Sequence, residues 1–265
     1  MKTAIFALMI AAVSCSCSFN SNKTKDVNNT TTEVDSTTIQ KYEVDEFTTD
    51  NGKSVSITFI KHGTLMLDVD GTTIHIDPVT MFCQGYNTLP KADIVLVSHE
   101  HGDHLDSLAI AQISTEKTVF LSNGHSAELT GKSQPLAIGE SYTFAKGENN
   151  ITIYGTAAYN CSEGRTQFHP KGRDLGFIVE YDGLRIYIAG DTEDIPEMKE
   201  LKDIDIAFLP VNQPYTMTPE QCINAINMFE PKIVYPYHYG QTDLSPIVNS
   251  FKDNAKIEVR IRQMQ

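Results

Sequence analysis

The chain is poor in basic charge, poor in cysteine and without a long apolar run. Its 265 residues hold 21 Lys and Arg against 34 Asp and Glu, a formal net charge of -13 at pH 7. Proteins that track nucleic-acid phosphates depend on basic patches, so nucleic acid is set aside as a partner. The five cysteines show neither CxxC nor Cys/His zinc spacing, which excludes a cysteine-built structural zinc site. Cys83, Cys161 and Cys222 read as small buried hydrophobes, although an oxidising compartment would allow two of them to pair. No apolar stretch reaches the roughly 20 residues of an ordinary membrane-spanning helix. There is no GxSxG nucleophile motif, no solenoid repeat and no HExxH, since Glu100 follows His99 but position 103 is Asp.

What is present begins with "MKTAIFALMIAAVSCSC", an early lysine, a short apolar stretch and small residues ending in cysteine. That is the pattern of an export signal. "AVSC" resembles the lipobox of bacterial lipoproteins, which implies lipidation at Cys15, or at Cys17 just after it, and an anchor in the cell envelope. A plain secretory signal cut nearby is the alternative. Residues 18–50 are rich in Ser, Thr, Asn and Asp and cannot bury enough surface to offset ordering entropy. They read as a disordered polar tether, with a folded domain over 51–265.

From residue 54 short β runs dominate. "SVSITFI", "TLMLDV" and "TTIHID" read as a meander, with the "DG" at 70 and 71 as a hairpin turn. "ADIVLVS" is a continuous apolar run, as expected of a strand covered on both faces. A short helix follows at "DSLAIAQI". The second half repeats the order: "ESYTFA", "NITIYGTA", "LGFIVEYDG" and "LRIYIAGD", then strands alternating with helices at "TPEQCINAINMF" and "SPIVNSFKD". Thr218 is the expected N-cap of the first of these, with Pro219 in its first turn. Mostly β and then mixed β/α, in each half, predicts one α/β domain of two sheets packed face to face with helices outside.

Three buried strands end in metal-type ligands. "IVLVSHEHGDH" delivers His99, His101, Asp103 and His104; "RIYIAGD" delivers Asp191 behind a glycine; "KIVYPYH" delivers His238. Strand ends on a rigid sheet hold ligands accurately, and the repetition points to one shared metal site. Side chains alternate along an extended segment, so His99 and His101 are expected to grip one ion. Asp103 follows in that register, and His104 turns away from it toward a second ion.

On these residues the sequence resembles the metallo-β-lactamase superfamily, whose HxHxDH signature is matched at His99, His101, Asp103 and His104, over roughly residues 54 to 261. The resemblance implies a four-layer αββα sandwich with one or two metals between the sheets. It implies that Asp191 bridges the metals and that His238 joins Asp103 and His104 on the second. The usual middle histidine loop is missing here, and His169 in "QFHPKGRDLGF" or Asn160 in "TAAYN" are the candidates for its place, with His169 favoured by its distance from Asp191. "AYN", "FHPKG", "IYIAGDTEDIPEM" and "YPYHYG" are similar to a branch of small hydrolases related to L-ascorbate-6-phosphate lactonase and, more distantly, to the phospholipase D that acts on N-acylethanolamine phospholipids.

The resemblance implies metal-assisted hydrolysis of an ester, lactone or phosphodiester in a small molecule, with Asp103 orienting the attacking water or taking its proton. Zinc suits the His-rich set, and manganese or iron also fit. Oxygen-reducing di-iron members replace the second signature His with Glu, so His101 favours hydrolysis. A lipoprotein that keeps the fold only to bind metal or ligand is the alternative outside enzymes. Lys171 and Arg173, close to His169, are candidates for an anionic substrate group, a merely solvated loop being the alternative. His125 reads as an exposed turn residue, and His62 and His75 as structural.

Overall fold

The structure, a computed structural model, describes residues 42–83 and 85–265. The signal segment with Cys15 and Cys17, and most of the polar tether, lie outside the described residues. Among those described, no helix is long and apolar enough to cross a membrane.

The first sheet has seven strands in chain order: β1 (Glu43–Thr48), β2 (Ser54–Lys61), β3 (Thr64–Val69), β4 (Thr72–Ile76), β5 (Ile94–Val97), β6 (Val119–Ser122) and β7 (Gln134–Pro135). β1 to β4 run antiparallel, and from β4 onward neighbours are parallel. The second sheet repeats the plan with β8 (Ser141–Lys146), β9 (Asn149–Ala158), β10 (Asp174–Tyr181), β11 (Leu184–Ile188), β12 (Ile206–Pro210), β13 (Ile233–Tyr237) and β14 (Glu258–Val259). Here β8 to β11 are antiparallel and the rest parallel. β1 corrects the tether boundary. Its exposed, polar sequence hides a strand whose ordering comes from full-length pairing with β2 and not from burial of its own side chains.

Two of the turns are written in the sequence. Asp70–Gly71 and Asp182–Gly183 both have positive φ at both positions, the conformation whose twist matches the flanking strands of a tight hairpin.

The sheets pack on each other through one apolar core, with Ile57, Leu67 and Leu96 on one side and Phe177, Ile186 and Phe208 on the other. Phe59 crosses the interface, its ring 5.0 Å from that of Tyr235. β5 explains its own composition: Ile94 and Leu96 enter this core, while Val95 and Val97 enter a second one. That second core is closed by Ala109, Ile110 and Ile113 of helix α1 (Ser107–Ile113). Period-2 alternation with both faces covered leaves no place for a polar residue. Helix α2 (Gly124–Thr130) follows β6 and carries His125, exposed, on a helix and not in a turn. Helix α3 (Pro219–Phe229) is closed by a reciprocal cap between Thr218 and Gln221 and seats Cys222, Ala225, Ile226 and Phe229 against the second sheet. Helix α4 is Ser245–Phe251. The result is an α/β sandwich of two mixed sheets with flanking helices.

Cys83 and Cys222 are buried and free, whereas Cys161 is free and exposed. No disulfide links the three.

Candidate metal centre

The carboxyl ends of the parallel strands meet at one rim. β4 delivers Asp77, β5 the run His99 to His104, β11 Asp191, β12 Asn212 and β13 His238. After β5 the chain leaves the extended conformation: His104 and Leu105 both donate their backbone N–H to His101 O at 2.9 Å. This tight turn, and not strand alternation, sorts the ligands. His99, His101 and His169 form one group, and Asp103, His104 and His238 form a second with His62. Asp103 therefore departs from the register expected for an extended segment and sides with His104.

Within the first group His99 Nε2 and His101 Nδ1 lie 3.0 Å apart. Asp191 stands between the groups. Its Oδ2 is 3.4 Å from His169 Nε2 and 3.3 Å from His238 Nε2, and its Oδ1 is 3.4 Å from His104 Nε2. Gly190 makes that position reachable: it has φ +65, and a Cβ there would sit 2.4 Å from Leu175 O.

Three of the imidazoles, His99, His104 and His169, are aimed by a partner on the far side. His169 donates from Nδ1 to Asn160 Oδ1 at 2.6 Å. His99 Nδ1 lies 2.9 Å from Ser98 Oγ, and that hydroxyl donates to Asp77 Oδ2 at 2.8 Å. His104 Nδ1 also meets Asp77 Oδ2 at 2.8 Å, both side chains being inaccessible. Hydrogen bonds of this kind fix the tautomer and leave the opposite nitrogen to a metal. Asn160, one of the two candidates for the first group, thus orients His169 from behind, and His169 faces the site. Asp77 escaped sequence reasoning, having no motif around it; its signal is a buried carboxylate with φ +45 beside a ligand strand.

The arrangement sets the charges. Burial keeps His99 well below the usual histidine range and His169 down at about 4, so both lone pairs are free at neutral pH. Burial opposes charge on His104 too, but Asp191 and Asp77 outweigh it and hold that imidazole above the usual range. Burial would raise the Asp191 and Asp103 carboxyls; the facing histidines, His238 foremost for both, pull them below the usual range.

The donor set fits divalent metal. His104 Nε2, His169 Nε2, His238 Nε2 and Asp191 Oδ1 are buried without a hydrogen-bond partner among the described residues. Each orphaned polar atom costs about 1–3 kcal/mol, and divalent cations held by the two groups would satisfy all four. Imidazole nitrogen and carboxylate oxygen are ligands common to zinc, manganese and iron.

A sequence profile described as a β-lactamase superfamily domain matches residues 56–238. The protein belongs to the metallo-β-lactamase superfamily. It is similar to a metal-dependent hydrolase of Pelotomaculum thermopropionicum, 34% identical over 200 residues that cover 70% of this chain and 85% of the relative. Among solved structures it is similar to a metal-dependent hydrolase of Parabacteroides distasonis, with 51% identity, a TM-score of 0.80, and 85% of this chain and all of that one covered. A metallo hydrolase of Ignicoccus hospitalis gives 27% identity and a TM-score of 0.64, covering 78% of this chain and 94% of that one. This superfamily member is accordingly a metal-dependent hydrolase.

The superfamily site opens into a cavity of about 370 Å³ lined by His62, His101, Asp103, Phe168, His169, Asp191, Asn212, Tyr215 and His238. His62, read as structural, belongs here. Its Nε2 is 3.1 Å from Asp103 Oδ2 and its ring lies 3.7 Å from that of His238. The signal was its place in a "HG" turn, where φ is +58. His75 is structural as read, held between Tyr86 Oη and Pro90 O at 3.0 Å each. Lys171 and Arg173 correct the anion expectation, for neither lines the cavity. Lys171 pairs with Glu197 at 2.8 Å, and Arg173 with Asp174 at 2.6 Å and Glu100 at 3.0 Å. Buried or half-buried carboxylates behind the loop claim both cations.

Proposed function

We propose that this hydrolase cleaves an ester, lactone or phosphodiester bond in a small molecule, with two divalent ions, zinc foremost, held by the two groups. The observation that carries the reading is Asp191, within 3.3–3.4 Å of ligand nitrogens from both groups at the floor of a solvent-reaching cavity. His99, His101 and His169 would hold one ion, Asp103, His104 and His238 the other, with Asp191 shared. Bound there, such ions supply hydroxide near neutral pH and Lewis acidity toward a developing oxyanion.

The chain's own part is positioning and proton handling. Asp103 is partly exposed, its side chain 38% accessible and turned to the cavity. Its carboxylate is suited to orient an attacking water and accept its proton. His62, pushed down by burial and therefore neutral at pH 7, donates from Nε2 to Asp103 Oδ2 and fixes the carboxylate's angle. The cavity volume falls within the range of small-molecule sites.

Location is part of the proposal. Lipidation at Cys15 or Cys17 would tether the domain to a membrane through the polar segment, and the acidic balance disfavours nucleic acid as a partner. Mass spectrometry of the mature N-terminus tests the anchor, which an unmodified end beyond Cys17 would refute. Metal analysis with a panel of esters, lactones and phosphodiesters tests the activity. Two equivalents of metal and chelator-sensitive turnover are expected. Metal-free protein that turns over at the full rate would overturn the reading.

A further inference from the structure

Part of the cavity lining is aromatic and uncharged. Phe168 and Tyr215 meet edge to face, rings 5.0 Å apart at 72°, and Tyr215 is 46% exposed despite its size. Asn212 lines the same wall, and its side-chain amide has no hydrogen-bond partner among the described residues. The loop that carries Asn212 and Tyr215 is braced. Asn212 N donates to Thr216 Oγ1 at 2.7 Å, Thr216 N to Asn212 O at 2.8 Å, and Tyr215 O accepts from Asn160 Nδ2 at 2.8 Å. A large ring kept exposed on a braced loop is positioned for contact with something that enters the cavity.

Charge narrows what enters. No Lys or Arg lines the cavity among the described residues. The nearby cations Arg165, Lys171 and Arg173 are each committed to a carboxylate, Glu193, Glu197, and Glu100 with Asp174 respectively. A phosphate or carboxylate on the non-reacting part of the substrate would lose its water without gaining a partner, a costly exchange.

We propose that Phe168, Tyr215 and Asn212 form the subsite for the non-reacting part of the substrate, an uncharged group with a flat apolar face and one hydrogen-bonding atom. The inference rests on the metal-hydrolase reading of the same cavity and names its substrate class. The flat face lies against the two rings, and the amide of Asn212 meets the polar atom.

The test measures equilibrium binding of three hydroxamates to the zinc-loaded protein by calorimetry, without a known substrate. Acetohydroxamate carries the metal-binding group alone, benzohydroxamate adds a ring, and 4-carboxybenzohydroxamate adds a charge. Benzohydroxamate is expected to bind about tenfold more tightly than acetohydroxamate, the order of one aromatic contact, and the carboxylated ring more weakly than the plain one. Tyr215→Ala should cut the ring preference to about twofold while leaving acetohydroxamate unchanged, and Tyr215→Phe should keep it. Equal affinity for acetohydroxamate and benzohydroxamate, or tightest binding of the carboxylated probe, would overturn the subsite alone. Failure of acetohydroxamate itself to bind would overturn the metal reading beneath it.

Discussion

Asn160 and His169 are joined side chain to side chain at 2.6 Å, and the same asparagine reaches across to Tyr215 O at 2.8 Å. One amide therefore aims an imidazole at the first metal group and braces the loop that carries Tyr215. Asn160→Ala should lower metal affinity at the first group by about 10–100-fold, the usual cost of losing a partner that orients a ligand, while Asn160→Asp, which keeps the acceptor, should recover most of it. Competitive zinc titration reads the effect. Unchanged affinity in the alanine variant would show that His169 is oriented by packing alone.

Asp77 carries more of the fold. It accepts from Ser98 N at 2.7 Å and Ser98 Oγ at 2.8 Å, and it faces His104 Nδ1 at 2.8 Å. Asp77→Ala would strand three buried groups at once, so a loss of about 3–5 kcal/mol is expected, read as the urea midpoint of the metal-free protein. A midpoint equal to the wild type would mean that water replaces the carboxylate without cost.

The parts of this site legible in the sequence are those whose chemistry is concentrated within a few residues of one strand. His99, His101, Asp103 and His104 announce themselves by density, and Asp191 and His238 by ending apolar runs. The grouping of Asp103 depended on a backbone turn from His101 to His104 that strand alternation does not foresee. Asp77 and His62 reach the site only through tertiary contact, from the end of β4 and from the β2–β3 turn, and the one histidine near Asp77, His75, is held instead by Tyr86 and Pro90. β1 was hidden for a related reason, since its stability comes from its partner strand. Lys171 and Arg173 stay open between substrate contact and a solvated loop in the sequence, because proximity to His169 says nothing about the carboxylates that Glu197, Glu100 and Asp174 present.

The shared carboxylate separates one-ion from two-ion effects. Removing His101 takes one nitrogen from the first group and leaves Asp191, His104 and His238 in place. His101→Ala should lose about one metal equivalent and keep its thermal transition. Asp191→Ala should lose both, because two cations would face each other with less compensating charge. Elemental analysis after gel filtration decides between them. Retention of both ions by the Asp191 variant would end its assignment as the bridge.

His75 predicts acid sensitivity away from the site. Burial pushes this imidazole down to about 4 in the fold, against about 6.5 in the unfolded chain. The folded state resists the proton that the unfolded state accepts. The contribution to stability is therefore complete above about pH 6.5 and declines as pH falls toward 4, by up to about 3 kcal/mol. His75→Gln, which does not titrate, should lose less stability between pH 7 and pH 4.5 than the wild type, in unfolding curves on metal-free protein. Parallel losses in the two proteins would place the acid-sensitive proton elsewhere, His62, His99 and His169 being the other imidazoles that burial holds low.

His62 tests whether Asp103 must be held as well as present. The ring lies 3.7 Å from that of His238, tilted by 41°, and hydrogen-bonds Asp103 at 3.1 Å, so two functions can be removed separately. His62→Phe keeps a ring against His238 and deletes the hydrogen bond; His62→Gln keeps a donor of similar reach and deletes the ring contact. If the aim of the carboxylate matters, His62→Phe should lower kcat by about 10–100-fold with little change in KM, and His62→Gln should restore part of it. Metal content measured beside the kinetics separates this from ligation. A ligand lost to phenylalanine would lower the second metal equivalent in proportion to activity, whereas a positioning partner lost would leave both ions bound at saturating zinc. Wild-type kcat in the phenylalanine variant would return His62 to the structural role its sequence context implied.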